Sequence, residues 1–220
     1  MPNDTIYEFR DYTLHPGKRD VLIELFEREF IEPQEALGSH VRATFRDLDD
    51  PDRFVWIRSF ADADARYSAL DGFYTGAVWR QHRNAANATI VDSDNVMQLR
   101  LLSGSLGAQA HGDISNRAPI VATAYFIAPH AERDFAAHFT RDVIPALGSA
   151  VPFASLITEH APNSYPRLPV RENECVLLTL ARFPSIEAHA DTAGASVDTS
   201  MLTAPTMVRR LQPTARSALR

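Results

Sequence analysis

Hydrophobic and polar positions change their spacing along the first hundred residues. Residues 6–14 alternate and are rich in β-formers, which predicts a strand, whereas Leu22, Leu25 and Phe26 recur at helical spacing within 18–31. The same patterns predict further strands over 41–45, 54–60 and 96–102, and helical segments over 62–70 and 77–88. The order strand, helix, strand, strand, helix, strand is the ferredoxin-like arrangement, a four-stranded antiparallel sheet with both helices on one face.

The pattern restarts in the second half of the chain. Residues 103–118 contain three glycines and no apolar periodicity, which is typical of a linker. Four short segments beyond it then match segments of the first half in the same order; the Ala-Leu-Gly-Ser at 36–39, for example, returns at 146–149. We therefore predict an internal duplication, with one ferredoxin-like unit over 1–102 and a diverged second unit over 119–220.

Each ferredoxin-like sheet leaves one face open, and that face has to be covered. The economical solution is to pack the two sheets face to face as an α/β barrel, with helices outside and a partly hollow interior. A pocket between the sheets is then the expected ligand site.

Composition excludes several classes of function. The net charge of −6 opposes binding to a phosphate backbone, and no basic stripe offsets it, so we expect no nucleic-acid partner. No apolar stretch approaches the roughly 20 residues that cross a bilayer, so we expect no membrane span. The first residues carry no secretion or transit signal, which favours a cytoplasmic location.

The first strand carries a row of polar side chains. Alternation places Glu8, Arg10 and Tyr12 on one face and Phe9 on the other; if Phe9 faces the helices, the polar row faces the barrel. Neighbours in this row lie roughly 7 Å apart along the strand, too far for direct bonding but able to surround one small polar ligand. The alternative is a structural Glu-Arg pair with cross-strand partners.

The second half has lost this charged row. Val121, Thr123 and Tyr125 stand at the matching positions, so only the tyrosine remains. Two units with one fold do not both need the charged pair, which favours a site specific to the first unit.

Two further segments add candidate residues. Trp56 and Arg58 share a face of the third strand and should point towards the same cavity, although core filling is the common role of a tryptophan. Trp79 and His82 lie on one face of the last helix of the first unit. His82 could transfer a proton or bind a metal, or it could be a hydrogen-bonded boundary residue.

Cofactor signatures are absent from the sequence. The single cysteine, Cys175, opens an apolar strand, and the histidines show no metal-ligand spacing. Nor is there a glycine-rich nucleotide loop or a nucleophile elbow. We therefore expect no metal and no nucleotide cofactor; haem bound through His160 or His189 is a third hypothesis.

Residues 7–18 read Tyr-Glu-Phe-Arg-Asp-Tyr-Thr-Leu-His-Pro-Gly-Lys, and this segment resembles the opening strand and turn of the NIPSNAP family. The likeness continues through 45–56 and from 73 to 95. The resemblance implies a dimeric α/β-barrel fold shared with antibiotic-biosynthesis-type monooxygenases, muconolactone isomerase-like proteins and, more distantly, haem-binding chlorite dismutases and aldoxime dehydratases. It also raises a homodimer as an expectation. Most members of the family have no assigned reaction.

The leading hypothesis is an enzyme that performs acid–base chemistry on a small organic substrate, as an isomerase, lyase, cyclase or cofactor-independent monooxygenase. Arg10 and Arg58 would hold a carboxylate or enolate, and Glu8 or His82 would transfer the proton. The residues expected to line the pocket are Tyr12, Trp56, Trp79 and Tyr125. The second hypothesis is a non-catalytic ligand-binding or assembly protein on the same scaffold.

Overall fold

Eight antiparallel strands close on themselves in a computed structural model that describes residues 4–107, 119–147, 151–185 and 197–219. Together with the short β4, which lies outside the closed barrel, the strands are β1 (Ile6–Leu14), β2 (His40–Asp47), β3 (Arg53–Phe60), β4 (Ile90–Asp92), β5 (Val96–Gly104), β6 (Ile120–Ile127), β7 (Val151–Thr158), β8 (Cys175–Arg182) and β9 (Met207–Pro213). The barrel order is β1, β3, β2, β9, β6, β8, β7, β5 and back to β1, and the short β4 pairs with β1.

Helices cover the outside of the barrel. In the first half they are α1 (Arg19–Glu29), α2 (Ile31–Glu35), α3 (Ala63–Thr75) and α4 (Ala77–Asn87); in the second half they are α5 (Glu132–His138) and α6 (Ile144–Ala146). A single turn of 3₁₀-helix, Pro129–Ala131, leads into α5, and a π-helical turn, Phe139–Val143, joins α5 to α6. No helix of the described ranges combines the length and the apolar character needed to cross a bilayer.

The predicted barrel is confirmed, but the way in which it closes differs from the expectation. The two halves do not stack as separate sheets: β2 pairs with β9 and β5 pairs with β7, so backbone hydrogen bonds join the halves edge to edge. Strand β5 runs to Gly104, two residues into the predicted linker. Most of that linker lies outside the described residues, and the duplication stays a prediction.

The predicted hollow interior is wrong. Apolar side chains from both halves fill the barrel; Phe9, Phe45 and Ile57 meet Leu178 and Leu180 there, and none of the five is more than 1% exposed. Alternation tells which residues of a strand share a face, but not which face turns inward. Because Phe9 points into the barrel, the row of Glu8, Arg10 and Tyr12 points outward, towards the helices.

The helices of the first half pack onto this outer face. Phe26 of α1 contacts Phe54 and Trp56 of β3, and Phe30, the residue after α1, contacts Phe73 of α3 in the same apolar cluster. The predicted end of this helical segment at residue 70 is wrong, because α3 continues to Thr75 and the chain bends at Gly76 instead. The start of α3 is as expected: Asp62 Oδ1 accepts a hydrogen bond from the Ala65 amide at 2.8 Å.

Candidate functional site

A cluster of four charged side chains lies under the helices of the first half. Glu8 Oε2 accepts hydrogen bonds from Arg10 Nη1 at 2.5 Å and from Arg58 Nε at 2.8 Å, and Glu8 Oε1 accepts from Arg66 Nε at 2.7 Å. The expectation that neighbours in this row are too far apart for direct bonding is therefore wrong for the side chains of Glu8 and Arg10. Both are long enough to bend along the strand and meet directly.

The cluster carries one negative and three positive charges, and all four side chains are at most 2% exposed. Burial by itself would raise the pKa of Glu8, but the charges of Arg58, Arg10 and Arg66 hold that pKa well below its ordinary value. Glu8 is therefore a carboxylate at any physiological pH. One carboxylate against three guanidinium groups leaves two positive charges in excess inside the protein.

Arg10 connects this cluster to a cavity. Its Nε donates to Tyr12 Oη at 2.9 Å, and its guanidinium lies 5.4 Å from the ring centroid of Trp56. Burial alone would lower the pKa of Arg10, whereas Tyr12 and Glu8 raise it, so the group keeps its charge. Burial raises the pKa of Tyr12, which remains a protonated phenol.

The cavity lies between the outer face of β1 and β3 and the helices α1 to α4, and its volume is about 120 Å³. Seven of its fifteen lining residues are aromatic, and Arg10, Tyr12 and Trp56 bring polar atoms to it from the sheet. The lining residues are Arg10, Tyr12, Leu22, Phe26, Phe30, Gln34, Trp56, Phe73, Tyr74, Trp79, Ala86, Asn87, Ile90, Ser93 and Leu168. A pocket therefore exists beside the predicted polar row, but it lies outside the barrel and not between two sheets.

Trp56, which lines this cavity, carries a second hydrogen-bond donor. Its Nε1 is buried and has no hydrogen-bond partner among the described residues. A buried donor without a partner is costly, and such groups often mark a place where a ligand or water binds. An acceptor atom in the cavity would satisfy it.

The structure separates other predicted site residues from this cavity. Arg58 lies behind it, where Nη1 donates to Gln34 Oε1 at 3.2 Å. His82 is close to the ring of Phe30, and its Nε2 lies 3.5 Å from Glu29 Oε2. Neither residue lines the cavity.

The predicted residues of the second half lie elsewhere. Tyr125 packs against Phe135 and Phe139 of that half, and burial raises its pKa to about 12. His160 is in the loop after β7 and contacts Glu132, whereas His189 lies outside the described residues.

Arg66 and Gln34 complete the site and were missed from the sequence. Arg66 occupies a position of α3 that continues the apolar stripe of Ala69, Leu70 and Phe73, and its Nη1 donates to Asn163 Oδ1 at 2.9 Å. Burial lowers the pKa of Arg66, although Glu8 opposes that effect. An arginine inside an apolar helical stripe is a signal that could have found it, because a buried charge needs a partner.

Three solved structures share the fold of this chain over nearly its full length. A candidate monooxygenase from Fusobacterium nucleatum subsp. nucleatum superimposes with a TM-score of 0.62 at 13% identity, over 97% of this chain and 94% of that one. An anthrone oxidase-like protein superimposes with a TM-score of 0.60 at 15% identity, over 99% and 95%. A candidate monooxygenase from Lactobacillus acidophilus gives 0.57 at 11%, over 96% and 94%. At these identities the likeness establishes the fold alone.

The sequence comparisons concern the half of the chain that carries the cavity. No curated protein matches the chain. The NIPSNAP family model matches residues 7–105, which contain the Glu8 cluster and almost every residue that lines the cavity. The resemblance to the NIPSNAP family that the sequence indicates is therefore confirmed over residues 7–105.

Proposed function

We propose that the cavity beside Arg10 binds a small planar compound through an acceptor oxygen, and that the protein is an enzyme that stabilises the conjugate base of this compound. The observation that carries the proposal is the set of donors at the sheet end of an aromatic cavity. Arg10 and the unpartnered Trp56 Nε1 can both donate, and the cluster that includes Arg10 has two excess positive charges. A carboxylate, phenolate or enolate oxygen fits this arrangement.

Arg10 is fixed in place before a ligand arrives. Glu8 and Tyr12 each engage one side of its guanidinium, so little reorganisation is needed when an anion forms. Glu8 therefore acts as a positioning residue in this proposal. It is a poor proton acceptor because its lowered pKa favours the ionised form.

The ionisation step needs no dedicated base. No carboxylate or imidazole is among the described residues that line the cavity. A nearby cation lowers the pKa of a bound enol or phenol, so that its proton passes to water near neutral pH. His82, which together with Glu8 was a candidate for the proton transfer, has no role in this version of the mechanism.

A monooxygenase reaction is the version that the fold neighbours favour, since two are described as candidate monooxygenases and one as anthrone oxidase-like. In such a reaction an activated methylene loses two hydrogen atoms and gains one oxygen atom from O₂. The second oxygen atom leaves as water, so the substrate supplies all the electrons. The aromatic walls suit a flat substrate, and its carbanion would be held as an enolate by Arg10.

A binding protein without turnover is the second candidate. The lack of a carboxylate or imidazole among the described lining residues also favours a binding protein. Without a base, the cavity could hold a ligand that is already ionised. The two candidates share the anion site and differ only in whether the bound anion reacts.

The test begins with 4-nitrophenol, whose absorbance distinguishes the phenol from the phenolate. We expect wild-type protein to lower the apparent pKa of the bound phenol by at least one unit, and we expect Arg10→Met to abolish this shift. Arg141→Met is the matched control because Arg141 is 71% exposed in the other half. Equal shifts in wild type and Arg10→Met would refute the anion site.

Oxygen uptake then separates the enzyme from the binding protein. Purified protein would be supplied with flat aromatic ketones that carry an acidic methylene, in the presence of a chelator. Uptake of one O₂ per ketone consumed, lost in Arg10→Met, is the expected result. Phenolate binding without any uptake would favour the binding protein.

A further inference from the structure

A second group of reactive side chains lies in the other half of the chain. Glu132 is the first residue of α5, His160 lies in the loop after β7, and Cys175 is the first residue of β8. His160 Nε2 is 2.6 Å from Glu132 Oε2, and the three potential ligand atoms all lie within 4.8 Å of one another. Three elements distant in sequence thus bring a thiol, an imidazole and a carboxylate to one point.

These three groups are the ligand types that zinc prefers. Zn²⁺ binds thiolate sulfur at about 2.3 Å and imidazole nitrogen or carboxylate oxygen at about 2.0–2.2 Å. Ligand atoms around one tetrahedral ion are therefore separated by roughly 3–4 Å, close to the spacing that exists here. His160, whose side chain is 57% exposed, has room to make the small adjustment that remains.

A large cavity opens beside the three residues. Its volume is about 560 Å³, and both His160 and Cys175 line it. An ion held by three protein ligands on one side would face this cavity on the other. Three protein ligands and one open position are the arrangement of catalytic zinc sites, where water or substrate takes the fourth place.

Cys175 supplies the buried ligand of the three. The thiolate is the form that ligates a divalent cation, so binding would release the thiol proton to solvent.

We propose that Glu132, His160 and Cys175 form a binding site for a borderline divalent cation such as Zn²⁺, with one open coordination position that faces the 560 Å³ cavity. This site is independent of the proposed anion site, since the two cavities share no lining residue. Sequence spacing could not find it, because its ligands follow no local motif.

Cobalt provides a direct test on the full chain. Titration with Co²⁺ should produce a thiolate-to-cobalt charge-transfer band in the near ultraviolet, which saturates at one ion per chain and disappears when Zn²⁺ is added. At pH 8 we expect Zn²⁺ to release about one proton per chain from the thiol.

Three variants decide the assignment. Cys175→Ser should lose the near-ultraviolet band, and His160→Gln should weaken Co²⁺ binding at least tenfold. His130→Gln is the matched control: His130 is exposed and two residues from Glu132, but it is outside the cluster, so binding should change less than twofold. If Cys175→Ser fails to fold, His160→Gln decides, because its position is exposed.

The proposal fails if no near-ultraviolet band forms, if the band survives in Cys175→Ser, or if His130→Gln weakens binding as much as His160→Gln does. These readouts do not involve the cavity beside Arg10, so they remain valid whether or not the proposed enzyme activity is found.

Discussion

Glu8 of β1 and Arg58 of β3 lie directly opposite each other in the antiparallel ladder, and Arg58 Nε donates to Glu8 Oε2 at 2.8 Å. The same carboxylate also holds Arg10 and Arg66, so a single acidic residue organises three buried cations. This relationship links the stability of the fold to the proposed anion site.

Glu8→Gln should destabilise the protein strongly. The variant removes the negative charge that compensates three buried guanidinium groups, and breaking a buried ion pair typically costs about 3–5 kcal/mol. Urea denaturation gives the free energy of unfolding. Glu24→Gln, at a residue whose side chain is 77% exposed, is the control and should leave it unchanged. A loss of less than about 1 kcal/mol in Glu8→Gln would contradict the buried cluster.

The same carboxylate predicts how stability depends on pH. The pKa of Glu8 is lowered in the folded protein from its ordinary value of 4.5, so the unfolded chain binds a proton at a higher pH than the folded chain does. The contribution of Glu8 is complete above 4.5 and declines as the pH falls through that value towards the lower folded pKa. Denaturation midpoints between pH 6 and pH 3 measure it. The decline should be shallower in Glu8→Gln, and parallel curves would argue against the assignment.

Trp56→Phe should weaken the binding of an oxygen-bearing ligand. The substitution keeps an aromatic ring but removes the unpartnered Nε1 donor, so the dissociation constant for 4-nitrophenolate should rise about tenfold, equivalent to one hydrogen bond of about 1.4 kcal/mol. Trp79→Phe is the control, because Trp79 lines the same cavity and its nitrogen is not among the buried unpartnered atoms. Equal effects in both variants would mean that ring size, and not the donor, determines affinity.

Two glycines of the helical layer should respond in opposite directions to alanine. A Cβ at Gly76 would lie 2.7 Å from the Gly72 carbonyl oxygen, a backbone atom that cannot move away, so Gly76→Ala should cost about 1–3 kcal/mol. At Gly72 the nearest atom is the end of the exposed Leu37 side chain, at 3.2 Å. Gly72→Ala should therefore stabilise α3 by about 0.5–1 kcal/mol. Thermal and urea unfolding of both variants test this, and the opposite order would contradict the helix boundary at Gly76.

Several features of the fold could be predicted from the sequence because they depend on local patterns. Alternation located β1 and β3, and helical spacing from residue 62 onward located the start of α3. Periodicity also established that Glu8, Arg10 and Tyr12 share one face. These conclusions need only neighbours in the chain, where backbone geometry alone determines the outcome.

Only the tertiary structure decided which face turns inward and which distant residues meet. The outward direction of the polar row depends on how all eight strands bury their apolar side chains at once, and that balance has no local signature. For the same reason Arg66 joins Glu8 across 58 positions, and Glu132, His160 and Cys175 converge from three separate elements. The sequence alone determined which strand carries the candidate polar row. The packing of the barrel placed that row under the helices, where the low local dielectric strengthens the electrostatic interactions of its charges.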